Sequence, residues 1–154
     1  MKNVGAPDWA RTLQMLGIVY ALAVVLNYPW ELAQSGLFTP ESNDGTVWLH
    51  CFVASLGDGV IVLLLYGLIR LASGRSEWFI RARPQDYAIL AVTGVLMAIA
   101  VEWVAVHVLH RWIYAQAMPR LPGSEIGVAP VLQMLLLPPL IFRIAAAVSV
   151  RFLR

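Results

Sequence analysis

The chain has 154 residues, of which 60% are hydrophobic and only 13% charged. A soluble domain is about half apolar and about a quarter charged, so this surface is not built for water. The apolar content excludes intrinsic disorder. The lone cysteine, Cys51, excludes a disulfide-stapled secreted fold. What remains is a small integral membrane protein of one domain.

The net charge of +2 does not point to nucleic acid. The basic residues are scattered at the ends of apolar runs, where they anchor a membrane protein. No nucleic-acid-binding motif interrupts those runs.

A membrane helix needs about 20 mostly apolar residues. Four segments qualify: residues 12–34, 47–71, 86–112 and 126–150. An all-α, four-helix transmembrane bundle is therefore expected. The first loop carries Pro40, Gly45 and two acids, the second is basic, and the third carries Pro119, Pro122 and Gly123. The first apolar run has no small-residue cleavage site after it and reads as a helix rather than a signal peptide. Lys2, Arg11, Arg70, Arg75, Arg81, Arg83, Arg143, Arg151 and Arg154 fall on one side, and only Arg111 and Arg120 on the other. This asymmetry predicts both termini in the cytoplasm. A bacterial inner membrane is the expected location.

Three acids stand in or near the apolar runs: Glu31, Asp58 and Glu102. A charge at mid-bilayer costs about 2.5–3.5 kcal/mol on insertion scales, so such a residue is a functional candidate by default. At about 1.5 Å per residue, Asp58 lies near mid-membrane, Glu102 roughly 6 Å outward and Glu31 about 12 Å outward. A single polar pocket opening to the outer leaflet is predicted.

Helical spacing supports one lining. Tyr20, Asn27, Glu31 and Gln34 share a face. Cys51, Ser55 and Asp58 form a second stripe, with Gly57 and Gly59 permitting close helix approach. Trp103, His107 and His110 form a third, with Glu102 beside it. Pro130 and Gln133 share a face of the fourth helix. Pro29 is expected to bend the first helix. Trp30, Trp48, His50 and Tyr114 lie on the same outward side. The plainer readings are also open: tryptophans as interface anchors, Cys51 as a buried hydrophobe, Glu31 and Arg143 snorkelling, and the acids bonded only to each other.

A desolvated carboxyl favours its protonated form and can act as a general acid. A second carboxyl in a more polar setting can accept a proton. Indole and phenol faces stabilise a passing cation. The expected function is acid/base catalysis on a lipophilic substrate that enters from the bilayer, with Glu31, Asp58 and Glu102 catalytic. Asn27, Trp30, Gln34, Trp48, His50, Ser55, Trp103, His107, Tyr114 and Gln133 would line its site. No cofactor is expected. The alternatives are a metal site, for which ligand types are present but no His-x-x-x-His or Glu-x-x-His spacing, and a transport or ligand-binding subunit without turnover.

Asn27-Tyr28-Pro29-Trp30-Glu31 resembles the Asn-x-x-Trp-Glu segment of the integral-membrane meroterpenoid cyclases of fungi. The resemblance implies Glu31 as proton donor, with Asn27 and Trp30 beside it. Trp112-Ile113-Tyr114, with the run from Gly127 through Pro130 to Gln133, is similar to the Trp-x-Tyr and Gly…Pro-x-Glu-Glu region of heterodimeric lycopene cyclases. Those enzymes carry paired acids where this chain has Leu132-Gln133, and an amide cannot donate a proton as an acid does. Both matches are short. Both families use more helices or two subunits, which implies a homodimer here. The resemblance implies an isoprenoid- or sterol-like substrate and a cyclisation or isomerisation.

Overall fold

A computed structural model describes residues 8–39 and 46–152. Pro40 and Gly45 of the first loop, with Lys2 and Arg154, lie outside the described residues. Four long helices dominate: α1 (Asp8–Gln34), α2 (Val47–Ser73), α3 (Pro84–Trp103) and α4 (Val128–Phe152). All four are long and apolar enough to cross a membrane. Among the described residues there is no strand, only two isolated bridges.

The helices run alternately, so the bundle has two distinct ends. At one end Arg11 of α1 pairs with Glu77 at 3.2 Å, and the 74–83 segment closes the bundle. We call this the basic end. It begins at Gly74, whose φ of 66° caps α2 by donating its N–H to the Arg70 carbonyl. Left-handed backbone there suits glycine, which has no Cβ to clash. A short 3-10 turn then drives Trp78 and Phe79 into the core, where both are almost fully buried. Trp78 packs 4.8 Å from Phe142 of α4 and 6.5 Å from Tyr66 of α2, ring centre to ring centre. The segment that reads as a basic loop is thus also an aromatic plug. Asp86 holds its far end: it accepts from the Arg83 N–H at 2.7 Å and from the Arg75 guanidinium. This cap satisfies a free donor of the first turn of α3.

Proline sets the contact between α3 and α4. Pro138 has no N–H, so the Met134 carbonyl one turn earlier has no helical partner. Gly94 of α3 lies against that oxygen; a Cβ there would stand 2.6 Å from it. Glycine lets the two backbones approach, and the Cα–H offers a weak donor to the freed oxygen. Gly59 likewise faces the Tyr20 ring of α1, whereas Gly57 meets nothing within 4 Å.

The third helix departs from its expected length. It ends at Trp103, nine residues before the predicted Trp112, and opens into a π turn over Val104–Val108. There the Leu109 N–H reaches back five residues to the Val104 carbonyl at 2.9 Å. His110 then takes a φ of 49° and reverses the chain. The β-branched run Val104, Val106, Val108 is poor helix material, which eases the break. The loop that follows is ordered by its own chemistry. Leu121-Pro122-Gly123-Ser124 closes a type II turn, with proline second, glycine third at φ 74° and a Ser124 N–H to Leu121 carbonyl bond of 3.0 Å. Bridges then tie Arg120 to Gly127 and Tyr114 to Phe38 beyond α1.

Candidate functional site

Gln133 is the centre of a buried polar network at the loop-bearing end. Its amide nitrogen donates to Asn27 Oδ1 at 2.8 Å, Glu31 Oε1 at 2.8 Å and Asp58 Oδ2 at 2.9 Å. Its amide oxygen accepts from Gln34 Nε2 at 3.1 Å. Gln34 also donates to Glu31 at 2.7 Å and accepts from the Trp30 indole at 3.2 Å. One amide on α4 therefore gathers four polar residues from α1 and one from α2, counting Trp30 through Gln34. Facing three acceptors, the amide can only present its nitrogen to them.

The hydrogen count is informative. An amide has two hydrogens, and three oxygens face it. Glu31 and Asp58 also lie within electrostatic reach of each other. Asn27, Gln34 and Gln133 are buried, whereas Glu31 and Asp58 are half-buried and keep an open side. Two half-buried carboxyls held by one buried amide are the chemical content of the site.

Glu102 belongs to a second node. It is buried, and it accepts a hydrogen bond from the Tyr114 hydroxyl. That hydroxyl accepts in turn from the Gly127 N–H at 3.1 Å. Gly127 lets the chain pass close to the phenol, since a Cβ would sit 3.2 Å from the Tyr114 ring. Burial, reinforced by the Glu102 carboxyl it donates to, pushes the Tyr114 hydroxyl above the ordinary tyrosine range. Tyr114 is therefore a fixed donor. Glu31, Asp58 and Glu102 remain within electrostatic reach of one another.

The remaining predicted lining residues fall elsewhere. Trp48, His50, Trp103 and His107 are exposed on the outside of the bundle. Each residue of an α-helix turns about 100° from the last, so the inward Glu102 places Trp103 on the lipid side. Trp103 and His107 stack on each other at 5.7 Å, and His107 faces Glu125 at 3.7 Å. Ser55 is buried but donates to the Cys51 carbonyl of its own helix at 2.7 Å. Among the described residues, no three His, Cys, Asp or Glu side chains converge on a point that could hold a metal ion.

Two cavities open at this end, and neither is lined by Glu31, Asp58 or Gln133. A cleft of about 220 Å³ includes His110, Trp112, Tyr114, Arg120 and Glu125 in its wall. A groove of about 330 Å³ beside the π turn includes Val104, Ala105, Leu109, Arg111 and Trp112. In the sequence Arg120 stands with Arg111 as one of two cations between the third and fourth apolar runs. No family model matches this chain, and neither a curated protein sequence nor a solved structure matches it.

Proposed function

We propose that the chain is an integral-membrane acid/base enzyme whose working groups are Glu31 and Asp58. The substrate is a lipophilic isoprenoid- or sterol-like alkene that enters from the bilayer. The observation that carries this reading is the pair of carboxyls, Glu31 and Asp58, that face one Gln133 amide from two helices within an apolar bundle. In the reaction, the protonated member of the pair gives its proton to an alkene carbon. The alkene π electrons form the new C–H bond, and the neighbouring carbon becomes a cation. Loss of a proton from an adjacent carbon to the other carboxylate turns that C–H pair into a new double bond. Attack by a second alkene before that loss gives a ring instead. The pair ends with one proton, as it began. Trp30 and Tyr28 supply aromatic faces on the same helix.

The charge asymmetry supports termini in the cytoplasm and an outward-facing site, in a bacterial inner membrane. Cells expressing the chain in D₂O, followed by mass spectrometry of their isoprenoid lipids, provide the test. A deuterated product should form with the wild type and vanish with Glu31→Gln and with Asp58→Asn. Unchanged deuteration in both variants would sink the proposal. A lipid that co-purifies unaltered would mark a binding subunit without turnover.

A further inference from the structure

The charge-bearing cleft and the apolar groove at the loop-bearing end share a wall. Trp112 lines both. Its indole nitrogen is buried, close to the Glu102 carboxyl and the Tyr114 hydroxyl, without a well-aligned bond to either. The ring thus stands between the two spaces and borders both. On the cleft side, Arg120 holds its guanidinium 5.8 Å from the centre of the Tyr114 ring. On the groove side, Arg111 stands at the edge of a surface formed by Ala100, Val101, Val104, Ala105 and Leu109. In the cleft wall Arg120 forms no ion pair among the described residues, while Glu125, the one carboxylate there, faces His107 at 3.7 Å. Guanidinium groups bind phosphate and carboxylate in a planar, two-pronged fashion.

The backbone between the two spaces is built, not incidental. His110 holds a left-handed φ of 49°, uncommon for a residue with a Cβ. The π turn before it widens the helix at Val104 and Ala105, which is where the groove lies. π turns and left-handed non-glycine residues gather at binding sites.

We propose that this end of the bundle binds a single-chain amphiphile with an anionic head. The head sits in the cleft against Arg120, and the tail lies along the groove beside the π turn. Charge complementarity selects the head, and the groove selects the tail. The site is distinct from the Glu31 and Asp58 pair and does not rest on the chemistry proposed for it.

The test uses the whole chain in phosphatidylcholine nanodiscs, with empty nanodiscs subtracted. Dodecyl phosphate is titrated against tryptophan fluorescence, with dodecanol and inorganic phosphate as comparison probes. Saturable binding of dodecyl phosphate is expected. Arg120→Ala should weaken it at least tenfold, and Arg120→Lys by less. Val104→Trp, whose added bulk fills the groove from an already exposed position, should weaken it by a similar factor. Equal binding by Arg120→Ala, equal saturation by dodecanol, or equal binding of inorganic phosphate would each overturn the proposal. Unchanged melting temperatures for the variants establish that the loss is local; Arg120 and Val104 are both exposed, so the fold does not depend on them.

Discussion

Replacing Gln133 with leucine should separate structural from chemical roles within the polar network. The change keeps the volume nearly constant, so no cavity is left. It removes the amide that joins α4 to α1 and α2. With two hydrogens and one oxygen engaged at a time, three hydrogen bonds are lost together. Interhelical hydrogen bonds in membranes average about 0.6 kcal/mol each, which gives a floor of about 2 kcal/mol. Bonds to ionised groups run to about 1.5–3 kcal/mol each in proteins generally, which raises the expectation toward about 4 kcal/mol. Asp58→Asn makes the opposite case. Its amide oxygen can still accept from Gln133, and its new hydrogens can serve Glu31. The carboxyl is lost, but every partner is kept. A cost below about 1 kcal/mol follows.

Sodium dodecyl sulfate titration in mixed micelles, followed by tryptophan fluorescence, measures both. Gln133→Leu should unfold at clearly lower detergent fraction, and Asp58→Asn close to the wild type. If Asp58→Asn were the more damaging of the two, the hydrogen-bond assignment around Gln133 would be wrong.

Other substitutions probe the rest of the fold. Gly94→Ala places a Cβ 2.6 Å from the Met134 carbonyl oxygen, which is backbone and cannot swing aside; about 1–3 kcal/mol of overpacking should appear in the same titration. Trp78→Ala empties the aromatic plug and should cost about 3–5 kcal/mol, read as loss of the folded peak in fluorescence-detected size exclusion. Tyr114→Phe should change how stability depends on pH. The folded chain binds the Tyr114 proton more tightly than the unfolded chain, so this contribution is whole below about pH 10 and falls as pH rises beyond it. Wild type should weaken in that alkaline range, while Tyr114→Phe is less stable at neutral pH and flatter above it. An alkaline limb identical in the two chains would show that another group governs it.

The four spans and the α1 face were legible because each depends on one helix. A run of apolar residues sets length, and a 3.6-residue period places Asn27, Glu31 and Gln34 together. Gln133 was legible on the same grounds, as a polar residue near the start of α4. What escaped depends on rotation and on loops. Nothing in the residues from Asp86 to Trp112 announces that the helix opens at Val104, so the stripe of Trp103, His107 and His110 reads as inward when it is outward. Trp78 and Phe79 escaped because the arginines around them dominate the composition of their segment. The pairing of Tyr114 with Glu102 needs the type II turn at Pro122 and Gly123 to fold the loop back, a contact that no single-helix pattern carries.

The three acids, alike in the sequence, are not alike in the fold. Glu31 and Asp58 meet at one amide, Gln133, from neighbouring helices. Glu102 has a dedicated donor in Tyr114, a hydroxyl held in its protonated form by burial. Because Tyr114 already engages Glu102, the proposed transfer is assigned to Glu31 and Asp58, with Glu102 as a positioning residue. Tyr114, bonded to Glu102, also walls the cleft that holds Arg120. Glu102 therefore connects the acid pair, through space, to the end of the bundle where an anionic head would sit. Scarcity of charge leaves four helices apolar enough to cross a membrane; the unequal pairing of the few buried acids separates the Gln133 network from the Tyr114 node.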